Sequence, residues 1–120
     1  MRVRREEFER LVGRALDSLP EEFARLIENV AVVVEDEPED ELLLEMGMEP
    51  GVDDLLGLYQ GVPRSERDSA YSALPDRIVI YRHPICRASR DREEVVSEVR
   101  DTVVHELGHY FGLEEDELAY

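Results

Sequence analysis

The chain is expected to fold as a small domain that mixes helices with a few short strands, and three observations carry that expectation. Apolar residues recur at helical spacing in two segments, one near each end of the 120 residues. Two short runs rich in β-branched residues lie between them. A chain of 120 residues, 42% of them apolar, can bury one core and has little left for a second. Residues 1–120 are therefore expected to form one domain.

From Glu6 to Leu19, the residues Phe8, Leu11, Val12, Ala15, Leu16 and Leu19 fall on one stripe, which is the pattern of an amphipathic helix. Pro20 then suits a first helical turn and opens a second short helix through Phe23, Leu26 and Ile27. Val30 to Glu35 reads as a strand buried on both faces, completing a helix, helix, strand unit. Pro38, Pro50 and two glycines punctuate the acidic stretch that follows, with a short helix expected at residues 40–47. Leu55 to Gln60 reads as a short strand stopped by Gly61, Val62 and Pro63. No period is visible from Arg64 to Arg77. A loop of that length is a candidate wall of a substrate cleft, or else a plain connection. Ile78 to Arg82 gives a compact strand. The last helix is expected to start near Asp91, where Asp91, Glu93 and Glu94 put acids at the positive end of the helix dipole. Its apolar face is Val96, Val99, Val103, Leu107 and Phe111. Gly112 is placed to end it in the left-handed conformation that turns the chain back.

That last helix carries the one segment that speaks about chemistry. His105, Glu106 and His109 form an HExxH sequence. Residues four apart on a helix project from one face, so both imidazoles can address one metal ion. Zinc accepts neutral imidazole nitrogen, and a catalytic site keeps one tetrahedral position for water. Glu106 is then placed to take a proton from that water as it attacks a carbonyl polarised by the metal. Two of the three histidines in the chain sit in this motif. The plainer alternative is a pair of ordinary helix histidines. Two histidines and a water leave zinc one ligand short, and a carboxylate among Glu114, Glu115, Asp116 and Glu117 can swing back after Gly112 to supply it. For that acidic run the competing reading is a solvated tail.

Composition excludes several other classes. The net charge is −16 and the basic residues are all arginine, a surface that repels nucleic acid and anionic lipid while favouring solubility. The longest apolar run, Val30 to Val34, falls far short of the ~20 residues of a membrane span. The charged segment MRVRREEFERLV is unlike a signal peptide, and the lone Cys86 has no internal disulfide partner. A reducing, cytoplasmic setting is expected, with Cys86 a packing residue. The sequence has no internal repeat, glycine-rich phosphate loop or nucleic-acid motif.

His105, Glu106, His109, Gly112 and Glu115 resemble the HExxHxxGxxD pattern of the minimal zincin-like metallopeptidases, short bacterial proteins with little beyond one zincin core. The resemblance extends over ALDSLPEEFARLIENVAVVVEDEP from residue 15, LLGLYQGVP from 55, LPDRIVIYRHPI from 74 and DTVVHELGHYFGLEEDEL from 101. It implies an α+β minimal zincin fold, a small mixed sheet packed against helices with a C-terminal active-site helix. It also implies a Zn2+ ion held by His105, His109 and a downstream carboxylate, with Glu106 as general base. Where the pattern has Asp, ten residues after the first His, this chain has Glu115 followed by Asp116. Glu115 is the expected third ligand, and Asp116 stays open.

The resemblance further implies that the strand Ile78 to Arg82 forms the cleft edge that pairs with an extended peptide. The methionine turn that larger zincins place beyond the helix has no counterpart, because Met1, Met46 and Met48 all precede His105. A thermolysin-like glutamate from a second downstream helix is not expected either. His83 is a candidate to assist the oxyanion or touch substrate, with a loop role as the plainer reading, and Tyr59, Tyr71 and Tyr81 are candidate phenol donors. The expected function is zinc-dependent hydrolysis of a peptide or protein substrate. The rival is a catalytically silent zinc-binding interaction module of the same fold.

Overall fold

In the computed structural model, residues 1–61 and 76–112 are described. The chain opens with α1 (Arg5–Asp17), whose stripe buries Phe8, Leu11, Val12 and Ala15. Pro20 sits at the N-cap of α2 (Glu21–Ile27), where its missing N–H costs nothing, and α2 buries Phe23. Strand β1 (Val30–Glu35) and helix α3 (Asp40–Glu45) follow, close to the expected places. Next come β2 (Gly57–Gln60), β3 (Asp76–Tyr81), α4 (Arg82–Arg87) and α5 (Arg92–Tyr110). The architecture is α+β: a small mixed sheet against helices.

The strand order is β1-β3-β2. β1 runs parallel to β3, from Val30 opposite Asp76 to Glu35 opposite Tyr81. β2 runs antiparallel to β3, from Gly57 opposite Ile80 to Gln60 opposite Arg77. Two sequence expectations change here. β1 is not buried on both faces: only Val34 is buried, since β1 lies at one margin of the sheet. β3 is the central strand, hydrogen-bonded on both sides, so the segment expected to be the cleft edge has no free edge to offer. Among the described residues, the edge beside the long helix is β2.

Helix α4 stands where the sequence pattern predicts the end of a strand at Arg82 and a loop at His83-Pro84. Pro84 is the third residue of α4, in the first turn, where its lack of an N–H is harmless.

Helix α5 organises the core. It packs on α1, α2, α4, β2 and β3, burying Val95, Val96, Val99, Val103, Val104 and Leu107. Ile78 and Ile80 of β3 and Ile85 of α4 meet it from the other side, all fully buried. Each such side chain contributes about 1.5–3 kcal/mol through the apolar area it removes from water. Phe111, expected on the same apolar face, is instead 46% exposed, because the helix has ended by that point.

Candidate active site

The site begins with what fixes α5. Asp91 is its N-cap, its carboxylate accepting the Glu94 N–H at 2.9 Å, and Glu93 and Glu94 follow in the first turn. At the other end the Gly112 N–H bonds to the His109 carbonyl, and Gly112 adopts φ +71, the left-handed conformation expected of it. Between these ends the buried valines lock the helix's rotation. His105, Glu106 and His109 thus emerge on its far side, the first two half-buried and His109 exposed.

His105 Nδ1 lies 2.8 Å from the Asp101 carbonyl oxygen, one turn back. A carbonyl can only accept, so Nδ1 carries a proton, and in the neutral ring Nε2 is then the nitrogen with the lone pair. That is the tautomer a metal ligand needs, and the backbone carbonyl supplies the orienting contact. The His105 and His109 rings stand 6.3 Å apart by centroid. Two imidazoles on one tetrahedral ion stand roughly 5 Å apart if each Zn–N bond is near 2.0–2.1 Å. Exposed His109 can close that gap by rotation. Among the described residues no group of three or more His, Cys, Asp or Glu side chains is poised around one ion. Glu115 and Asp116, the expected third ligand and its alternative, lie outside the described residues.

Glu106 has a defined partner. Its Oε1 accepts the backbone N–H of Tyr59, on edge strand β2, at 3.0 Å. The contact depends on how closely β2 approaches α5, and Gly57 sets that approach. A Cβ at position 57 would stand 2.7 Å from Thr102 Cγ2 and 2.9 Å from the Val79 carbonyl oxygen, so only glycine fits. The Tyr59 phenol donates to Asp76 Oδ2 at 2.8 Å. Its ring stacks on Tyr110 at 3.9 Å between centroids, with Phe111 edge-on at 6.1 Å. Tyr110 in turn lies against Gly61, where any side chain would displace the ring. An aromatic cluster therefore flanks the carboxylate where the sheet edge meets the end of α5.

The sequence segment that this geometry draws on matches a family model described as zincin-like metallopeptidase over residues 27–120. The chain belongs to the zincin-like metallopeptidase family. Among solved structures, a conserved hypothetical protein from Thermo thermophilus is similar, with 28% identity, 89% of this chain and 92% of that one covered, and a TM-score of 0.56. No curated protein matches the chain.

In this zincin-like chain the structure brings His105, Glu106 and His109 together on α5 and leaves other candidates elsewhere. His83, on α4, lines a different cavity with Arg92, the first residue of α5. At 1.5 Å per residue, that end of the helix is roughly 20 Å from His105, so His83 does not assist at the motif. Tyr81 is buried in β3, and burial raises its phenol pKa. Tyr71, and most of the loop expected as a cleft wall, fall at residues 62–75, outside the described residues. Tyr59 does reach the site, through its backbone N–H instead of its phenol. Gly57 and Tyr110 carry no site signal in the sequence, and Gly61 reads there only as the end of a strand. Their contribution lies in contacts between segments about 45–50 residues apart, and no local pattern signals it.

Proposed function

We propose that the protein is a zinc-dependent metallopeptidase that hydrolyses peptide bonds. The observation that supports this reading is the placement of Glu106: it follows His105 directly on α5, one turn short of His109, and its carboxylate is held by the Tyr59 backbone N–H of the edge strand. His105 and His109 are the residues to hold the ion, with Glu115 the proposed third ligand and Asp116 the alternative. Zinc, when bound, supplies a Lewis acid that acidifies water and polarises the scissile carbonyl. Glu106 takes the proton of the attacking water and delivers it to the leaving amine, a role worth about 10²–10⁴ in rate. Strand β2 aligns the substrate by strand addition, its outward N–H and C=O groups pairing with an extended peptide. The Tyr59 N–H that holds Glu106 belongs to that same edge, so peptide docking and carboxylate orientation are linked through one donor. A reducing, cytoplasmic setting is proposed on the lone, buried Cys86.

The second reading, a zinc-binding interaction module without turnover, draws support from the same bond, because a Glu106 tied to Tyr59 also serves as a structural brace. One set of experiments separates the two. Metal content is measured on purified protein, and a broad peptide library is digested with and without chelator. Glu106→Gln should keep the metal and lose hydrolysis, while His105→Ala and His109→Ala should lose both. One equivalent of zinc with no cleavage under any condition would leave the module as the function, and undiminished hydrolysis by Glu106→Gln would remove the general base.

A further inference from the structure

At the start of α5, far from the HExxH turn, lies an open cavity of about 790 Å³. Five arginines line it, Arg2 and Arg4 from the first residues, Arg82 and Arg87 from α4, and Arg92 from α5, with His83 beside them. Two carboxylates, Glu7 and Glu37, line the same space, and Asp36 and Asp54 pair with Arg82 and Arg87 at its margin. Five guanidiniums against these four carboxylates leave a net charge of +1 in a chain whose net charge is −16.

Three of these guanidiniums are fixed in place. Arg82, its side chain only 16% exposed, donates to Asp36 at 2.9 Å and to the Val3 carbonyl at 2.7 Å. Arg87 is held by Asp54 at 2.7 Å and Glu37 at 2.8 Å. Arg92 grips both Glu7 oxygens, at 2.6 and 3.0 Å. Ordinary surface pairing explains these three. Arg2 and Arg4 differ: among the described residues their guanidiniums make no hydrogen bond or close ion pair, Arg4 adding only a longer-range attraction to Glu7.

We propose that this cavity is a binding site for a compact anion carrying two or more phosphate groups. The guanidinium fork matches phosphate oxygens two at a time, and arginine outranks lysine wherever such planar recognition is needed. The volume falls within the roughly 300–1,000 Å³ of small-ligand sites. Size and charge together favour a compact ligand over an extended one. An acidic peptide or a nucleic acid would have to run on from the cavity over a strongly negative surface, which repels it. A di- or triphosphate keeps all of its charge inside the concave, positive region. Arg2 and Arg4 then close on it from the N-terminal segment, against the fixed wall of Arg82, Arg87 and Arg92.

The test is calorimetric titration of the full-length protein with pyrophosphate, tripolyphosphate and ADP at constant ionic strength, beside a short oligoglutamate peptide. One phosphate-bearing probe or more should bind at a 1:1 ratio. Arg2→Ala/Arg4→Ala should weaken binding by roughly tenfold for each guanidinium removed. Both side chains are exposed and make no bond of their own, so the double variant should fold as the parent does. Arg25→Ala, which removes a charge on α2 outside the cavity, should leave affinity unchanged. The double variant leaves the HExxH residues intact, so any binding of phosphate to the metal would persist in it. Equal binding by parent and double variant would overturn the proposal. So would the absence of binding by every phosphate probe at about 1 mM, or tighter binding of the oligoglutamate peptide. ADP binding more tightly than pyrophosphate would identify a nucleotide, and equal affinity would identify the phosphates alone as the group recognised.

Discussion

Replacing Gly57 with alanine tests whether the close approach of β2 to α5 sets the catalytic geometry. The new Cβ would stand 2.7 Å from Thr102 Cγ2 and 2.9 Å from the Val79 carbonyl oxygen. The Thr102 methyl group can rotate away, but Val79 is in the central strand, paired on both sides, and its carbonyl cannot retreat. Ordinary contact starts near 3.4 Å, so β2 must move out by about half an ångström or more, at an overpacking cost of about 1–3 kcal/mol. The Tyr59 N–H to Glu106 bond, 3.0 Å long, then lengthens past useful range. Urea unfolding should show the stability loss, and hydrogen exchange should show faster exchange of the Tyr59 amide. In the catalytic reading, kcat/KM should fall by up to about 10², the usual penalty for misplacing a reacting group by about an ångström. Adding Thr102→Ser removes one of the two clashes and should restore part of the stability but not the Tyr59 protection. A Gly57→Ala protein with parental stability and parental Tyr59 exchange would refute the reasoning.

Three further outcomes follow from the same contacts. Burial first, then the negative charges of Asp101 and Glu94, raises the Glu98 carboxyl pKa. A raised carboxyl favours the fold below its unfolded pKa and loses that contribution as pH rises through the folded one, so Glu98→Gln should raise stability at neutral pH, by less than about 1 kcal/mol at this partly exposed position. Conversely, hydrogen bonds from Arg92, Arg82 and Arg90 lower the pKa values of Glu7, Asp36 and Glu94. Their contribution is complete above the ordinary carboxyl range and is lost as pH falls below it; acid titration followed by circular dichroism should show that loss, reduced at high salt. Leu107→Ala, one residue from Glu106 and fully buried, should cost about 2–5 kcal/mol in denaturant unfolding.

What the sequence revealed, and what it hid, divides along local and non-local lines. α5 was legible because every signal for it is local: Asp91 with Glu93 and Glu94 at the start, valines at helical spacing, HExxH on the opposite face, and Gly112 at φ +71. The rank of a strand within a sheet is not local. VAVVVE in β1 and IVIY in β3 are both apolar, β-branched runs, yet among the described residues β1 has one neighbour and β3 has two, which reversed both the expected burial of β1 and the expected cleft edge. β2 is only four residues long, and its critical residue, Gly57, acts through the side chain it lacks. The arginine cavity was hidden for a related reason. Its residues come from positions 2–4 and 82–92, and a net charge of −16 averages such a cluster away.

The length of β2 also bounds what the proposed enzyme can read. Four residues at about 3.4 Å each span roughly 14 Å of edge. In an antiparallel pair only alternate residues turn their backbone groups outward. Tyr59 is one of these, since its N–H reaches Glu106, so Gly57 and Gly61 share its side of the strand. Gly57 is buried against Thr102 and Val79, so the outward-facing backbone positions of this strand are at most Tyr59 and Gly61. Two or three hydrogen bonds at about 0.5–1.5 kcal/mol each bind a peptide weakly and without regard to its sequence. Discrimination among substrates then has to come from side-chain contacts, and among the described residues the aromatic surface of Tyr59, Tyr110 and Phe111 is the one beside Glu106 that can supply them.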